Sequence, residues 1–141
     1  MKLIYLVPSA VLLAASAHAD EPNIDPGMWE TTSTVTMNSE QFSMPPRTET
    51  NSECLTAEKI AEGQTFLDDN ENCDYTDKDM RADGMDYTMT CKNPDGSSVE
   101  MNASMKFDGD TMDGTVDGVV ESPMGEMSMN VEMTGKRIGD C

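Results

Sequence analysis

Three stretches of this chain alternate apolar and polar residues with a period of two, and that alternation limits what it can fold into. Between Gly84 and Lys92, Met85, Tyr87, Met89 and Cys91 alternate with Asp86, Thr88, Thr90 and Lys92. Between Ser98 and Phe107, Val99, Met101, Ala103, Met105 and Phe107 alternate with Ser98, Glu100, Asn102, Ser104 and Lys106. From Glu126 to Gly135, Met127, Met129, Val131 and Met133 alternate with Glu126, Ser128, Asn130, Glu132 and Thr134. Successive side chains of a strand point to opposite faces, so each stretch reads as a strand with one dry and one wet face. Met112, Val116 and Val120, with Gly114 and Gly118 between them, form a weaker stripe, as do Trp29, Val35 and Met37.

The punctuation agrees. Asp83-Gly84, Asn93-Pro94-Asp95-Gly96, Asp108-Gly109-Asp110 and Ser122-Pro123-Met124-Gly125 separate the stripes. These residues favour tight turns, Gly by tolerating positive φ and Pro by fixing its own φ. Strands are expected near 28–37, 47–54, 73–81, 85–92, 98–107, 111–120 and 126–137. The fold class is mainly all-β: an antiparallel meander forming a curved sheet or small barrel, because isolated hairpins are unstable in water. One short helix is expected at 57–62, capped by Thr56, with Glu58 in its first turn and Gly63 at its end. Gln64–Asn72 reads as an acidic loop.

The first residues read as an address. Lys2 precedes an apolar run from Leu3 to Ala15, and Ala17-His18-Ala19 is the small-x-small triplet that signal peptidase accepts. The run is shorter than the roughly 20 residues of a membrane span. Residues 1–19 are expected to be a signal peptide cleaved before Asp20, and 20–141 a single β-rich domain in the periplasm or secreted. With no Cys near the cleavage point, no stable membrane anchor is expected after cleavage.

Removing the leader leaves 122 of 141 residues, 13 of 14 methionines and 8 basic against 27 acidic side chains, a balance of −19. A polyanion of that size excludes nucleic acid as a partner. The only His, His18, leaves with the leader, and with it imidazole for catalysis or metal binding. Leu, Ile, Val and Phe together number 14 in the mature part, a thin core that the methionines must supplement. Cys54, Cys73, Cys91 and Cys141 match no redox or zinc spacing, and an even number in a short exported chain indicates two disulfides. Of three possible pairings, a hairpin turning around Ala82 favours Cys73–Cys91, since each lies nine residues from it. Cys54–Cys141 then staples the C-terminus to the second strand.

Several motifs follow in order: Pro26-Gly27-Met28-Trp29-Glu30, Met44-Pro45-Pro46, Glu53-Cys54-Leu55-Thr56, Thr88-Met89-Thr90-Cys91, and the ending Thr134-Gly135-Lys136-Arg137-Ile138-Gly139-Asp140-Cys141. Together they resemble the domain of unknown function 3617 family of exported bacterial proteins. Its pattern has Leu where this chain has Met28. The resemblance implies a small periplasmic β-rich domain and transfers no catalytic residue.

Candidate sites divide by chemistry. A Met-lined interior with Trp29, Tyr87, Met89, Met101, Met105 and Met129 suits an apolar small molecule, since flexible thioether chains repack around varied ligands. Asp108, Asp110, Asp113 and Asp117 form an acidic cluster around one hairpin and are candidates for Ca²⁺ or Mg²⁺. Asp68, Asn70 and Asn72, with Asp79 further on, have calcium-loop spacing, but Cys73 stands where such a loop needs Gly. Met44, Met127 and Met129 are soft donors suited to Cu(I). The leading expectation is non-enzymatic binding of an apolar small molecule or envelope partner by a monomer without a cofactor. Envelope metal handling, by carboxylates for Ca²⁺ or thioethers for Cu(I), is the alternative, and an enzyme using a carboxylate pair the third.

Overall fold

The computed structural model describes residues 21–62 and 71–141. The expected leader 1–19 with its cleavage point, Gly63 expected at the end of the helix, and residues 64–70 of the acidic loop lie outside them. The described chain forms seven strands and one helix: β1 (Gly27–Ser39), β2 (Ser43–Leu55), α1 (Ala57–Glu62), β3 (Cys73–Arg81), β4 (Gly84–Lys92), β5 (Ser98–Asp108), β6 (Thr111–Ser122) and β7 (Gly125–Gly139). All seven expected strands and the expected helix are present. Thr56 caps α1, its hydroxyl accepting from the Lys59 amide at 3.2 Å.

The strands make one antiparallel sheet in the order β2-β1-β7-β6-β5-β4-β3. Its outer strands β2 and β3 do not pair, so the sheet is open and not a closed barrel. The chain builds the β1–β2 hairpin at one edge, crosses to the opposite edge, and returns strand by strand until β7 lies beside β1. α1 sits in that crossing. Pro45 and Pro46 lie in β2, where an edge strand tolerates missing ladder donors.

The core is concentrated at one end of the sheet. Ile24, Trp29, Leu55, Ile60, Met85, Met105, Phe107 and Met112 form a single buried cluster. Ile60 brings α1 onto the apolar face. The segment before β1 is strapped across the hairpin ends: Asn23 N–H donates to Ala82 O at 2.7 Å, Asp25 N–H to Gly109 O at 2.8 Å, and Gly109 N–H back to Asn23 O at 2.9 Å. That strap carries Ile24 into the cluster. At Gly27, φ is +153°, and an added Cβ would lie 2.5 Å from both Gly139 O and Arg137 Nε. Only glycine fits this approach of β1 to β7.

Both disulfides pair as expected. Cys54–Cys141 spans 87 residues and joins the chain segments flanking the start of β1. In the loop-entropy model such a closure contributes about 4 kcal/mol. Cys73–Cys91 links β3 and β4 at directly opposed positions.

That second pairing depends on a feature the even count around Ala82 does not contain. The turn is two residues, Ala82 and Asp83, with Arg81 opposite Gly84. Continued without interruption, this register would set Cys73 against Lys92. The register shifts between Thr76 and Asp79, where β3 carries one extra residue, and the shift restores Cys73 to Cys91. Asp77 in this bulge has φ of +53°. Asp tolerates the left-handed region better than most residues, and β-branched residues do so worst. Asp77→Gly is expected to keep full stability, whereas Asp77→Val is expected to lose about 1–2 kcal/mol. Denaturant unfolding of the oxidised proteins measures both, and equal midpoints for the two variants would contradict this account.

The dry face packs by pairing methionine with glycine. Met112 lies opposite Gly135, Met105 and Met133 flank Gly114, and Met101 and Met129 flank Gly118. A Cβ added at Gly135 would lie 2.7 Å from Met112 Cγ and 2.9 Å from Met112 Cε, so the methionine occupies the glycine's empty volume. Gly135→Ala is expected to destabilise by about 1–3 kcal/mol through overpacking. In a Met112→Ala background most of that cost should vanish, because the two sites share one space. A double-mutant cycle by urea unfolding reads the coupling, and strict additivity would contradict the packing described.

Candidate functional site

Strand registers join the separate stripes into one continuous face. Read across the seven strands from β3 to β2, one level carries Tyr75, Met89, Met101, Gly118, Met129, Met37 and Met44. The next level toward the core carries Tyr87, Ala103, Val116, Val131 and Val35 from β4 to β1. The level after that carries Met85, Met105, Gly114, Met133 and Ser33. No charged side chain belongs to these levels between β4 and β1.

Burial falls along the face. Met85 and Met105 are buried, Met133 and Tyr87 are half-buried against the cluster, and Met89, Met101, Met129, Met37, Val116 and Val131 are half-buried. The core end is closed by Ile60 and Ile24. Beyond it, these side chains are only partly covered among the described residues. At the far end, the β1–β2 and β6–β7 turns enclose a depression of about 160 Å³ lined in part by Phe42, Met124 and Met127. Phe42 and Met124 are exposed there, Met124 almost fully.

The six expected ligand residues divide between this face and the core. Met89, Met101 and Met129 stand on one line. Tyr87 stands one level away, its ring edge-on to Tyr75 with centroids 5.5 Å apart. Met105 lies in the core, and so does Trp29, only 1% exposed, with its indole N–H donating to Asp25 O at 2.9 Å. Neither offers surface to a ligand. Met37, Val116 and Val131 belong to the half-buried part of the face instead. The signal for them lies in the turn lengths, which set which stripe residues share a level, and not in any one stripe.

The opposite face is polar and exposed. Asp113 faces Lys106 and Thr134, and Asp117 faces Asn102 and Asn130, accepting from Asn130 Nδ2 at 2.7 Å. Asp113 and Asp117 do share this face, but four residues of strand separate them by about 13 Å. Asp108 lies opposite Thr111, and Asp110 is in the adjoining turn. Among the described residues, no three His, Cys, Asp or Glu side chains gather where a metal ion could be held. Of the calcium-like spacing, Asp79 pairs with Arg81 and Cys73 is in a disulfide.

Arg81 organises the β3–β4 end, reaching Asp79, Asp83 at 3.5 Å and Asp86 at 2.8 Å. The Asp86 carboxyl is held below the usual carboxylate range by the Ser104 hydroxyl first and by the Arg81 guanidinium second. A carboxyl with a depressed folded pKa adds stability above its unfolded pKa of about 3.9 and loses it as pH falls through the lower folded value. The stability difference between wild type and Asp86→Asn is therefore expected at pH 7 and should shrink below about pH 4. Urea unfolding at both pH values measures it, and a pH-independent difference would contradict the assignment.

Residues 24–141 match the model of the family described as protein of unknown function (DUF3617). The chain belongs to this family, as the ordered motifs suggested. No curated protein and no solved structure matches it.

Proposed function

We propose that this domain is a non-enzymatic binding module of the periplasm, and that its methionine-lined face takes an apolar small molecule. One observation carries the reading: an uncharged apolar surface runs across the strands from β4 to β1 and is only partly covered beyond the core. Burying such surface is favourable by roughly 25 cal/mol per Å². A chain this poor in Leu, Ile, Val and Phe gains by keeping its apolar side chains in the core unless the face has an occupant. Methionine suits the role, because its unbranched thioether chain adapts to ligands of different shape. The disulfides support an oxidising compartment, and the expected leader supports export to the periplasm.

The test is displacement of a fluorescent apolar dye from the purified, oxidised domain by long-chain amphiphiles. Wild type is expected to bind the dye. Val131→Glu places a carboxylate at the centre of the face and is expected to abolish binding while leaving the circular dichroism and disulfides unchanged. Equal dye binding by wild type and Val131→Glu would overturn the proposal, as would no binding by wild type below millimolar concentrations.

A further inference from the structure

We propose that Met101 and Met129, which meet over Gly118 in a line of thioethers that also carries Met89 and Met37, bind Cu(I). These four residues come from β4, β5, β7 and β1 and share one level, with Gly118 of β6 between Met101 and Met129. The point where a Gly118 Cβ would stand is 3.2 Å from Met101 Cγ and 3.2 Å from Met129 Cε. Each of those carbons is bonded directly to its residue's sulfur. The missing side chain thus lets two thioethers from non-neighbouring strands lean toward one position.

The donor chemistry favours a soft monovalent cation. Thioether sulfur selects Cu(I), whereas Ca²⁺ and Mg²⁺ take oxygen ligands, which this line lacks. All four cysteines are in disulfides, so among the described residues thioethers are the available soft donors. The four methionines are half-buried, which leaves their sulfurs reachable while excluding part of the competing water. Rotation about three single bonds lets Met101 and Met129 turn their sulfurs toward an ion over Gly118 without moving the backbone. The negative excess of the domain raises the local concentration of any cation.

Competition with a chromophoric Cu(I) chelator under ascorbate, which holds copper reduced, tests the site in the disulfide-intact protein. Wild type is expected to retain Cu(I). Met101→Leu/Met129→Leu is expected to weaken retention by about tenfold or more, and Met37→Leu/Met89→Leu to weaken it less. Circular dichroism checks the fold of each, and X-ray absorption of the loaded wild type should show a shell dominated by sulfur. No retention by wild type overturns the proposal, and so do unchanged retention in well-folded Met101→Leu/Met129→Leu and a shell of oxygen or nitrogen alone. Leucine keeps the face apolar, so the same variants should still bind the dye. Loss of copper with dye binding intact separates this site from the apolar-ligand reading, and dye failure with copper retained leaves this site standing.

Discussion

A sheet with one dry face must hold one register along every strand, because a slip of a single residue turns its methionines to water and its aspartates inward. In this domain the register is held by shape as well as by polarity. Met112, Met105 and Met101 each lie against a glycine on the next strand, and Met133 and Met129 complete the pattern from the other side. A one-step slip would set methionine against Asp113, Thr115 or Asp117 of β6, losing the notch and the dry contact together. Glycine usually weakens a strand because it has nothing to pack. Here a neighbour's flexible chain fills the space, so the strand keeps its close approach without leaving a void.

The same constraint explains where the core can sit. Large rigid apolar residues are few, and Trp29, Leu55, Ile60 and Phe107 are gathered at one end of the sheet. The strap carrying Ile24 and the helix carrying Ile60 both close that end. Cys54–Cys141 fastens it again beside the start of β1. The other end has no comparable cover among the described residues. Long strands then extend a hydrogen-bonded platform beyond a small core, and the half-buried methionine line lies on that extension.

Much of this is legible in the sequence, because period-two alternation and turn residues are local signals. They place seven strands, α1 with its Thr56 cap, and the faces of individual strands. Two things escape them. The bulge at Asp77 has no local mark, since aspartate is also an ordinary turn or loop residue. It changes the register of everything in β3 beyond it. Nor does alternation within a strand say which residues share a level across strands. Met37, Met129, Met101 and Met89 are scattered over more than 90 residues of sequence and become one line only when every turn length is known. The same gap explains Trp29. A stripe shows that its indole faces inward, but only the strap and its Asp25 carbonyl show that inward means core.

An open sheet with a partly covered apolar face and two unpaired edges invites association with copies of itself. This chain meets that hazard at each point by a separate device. β2 carries Pro45 and Pro46, which deny ladder donors to an incoming strand, and both of its faces are polar over most of its length. β3 is interrupted by its bulge and carries Lys78 there. The apolar face has no such interruption between β4 and β1. Its protection comes from the opposite side of the same sheet, where Asp86, Glu100, Asp113, Asp117 and Glu132 stand one strand thickness away. Two copies meeting face to face would bring these layers within a few tens of ångströms, alongside the rest of a net charge of −18. At the Debye length of about 10 Å in 0.1 M salt most of that repulsion is screened, and what remains comes from charges near the contact and grows as salt is lowered. A small uncharged ligand feels none of it, and a cation is drawn in. For the proposed site, the acidic excess therefore favours small uncharged guests and cations over a second polyanion.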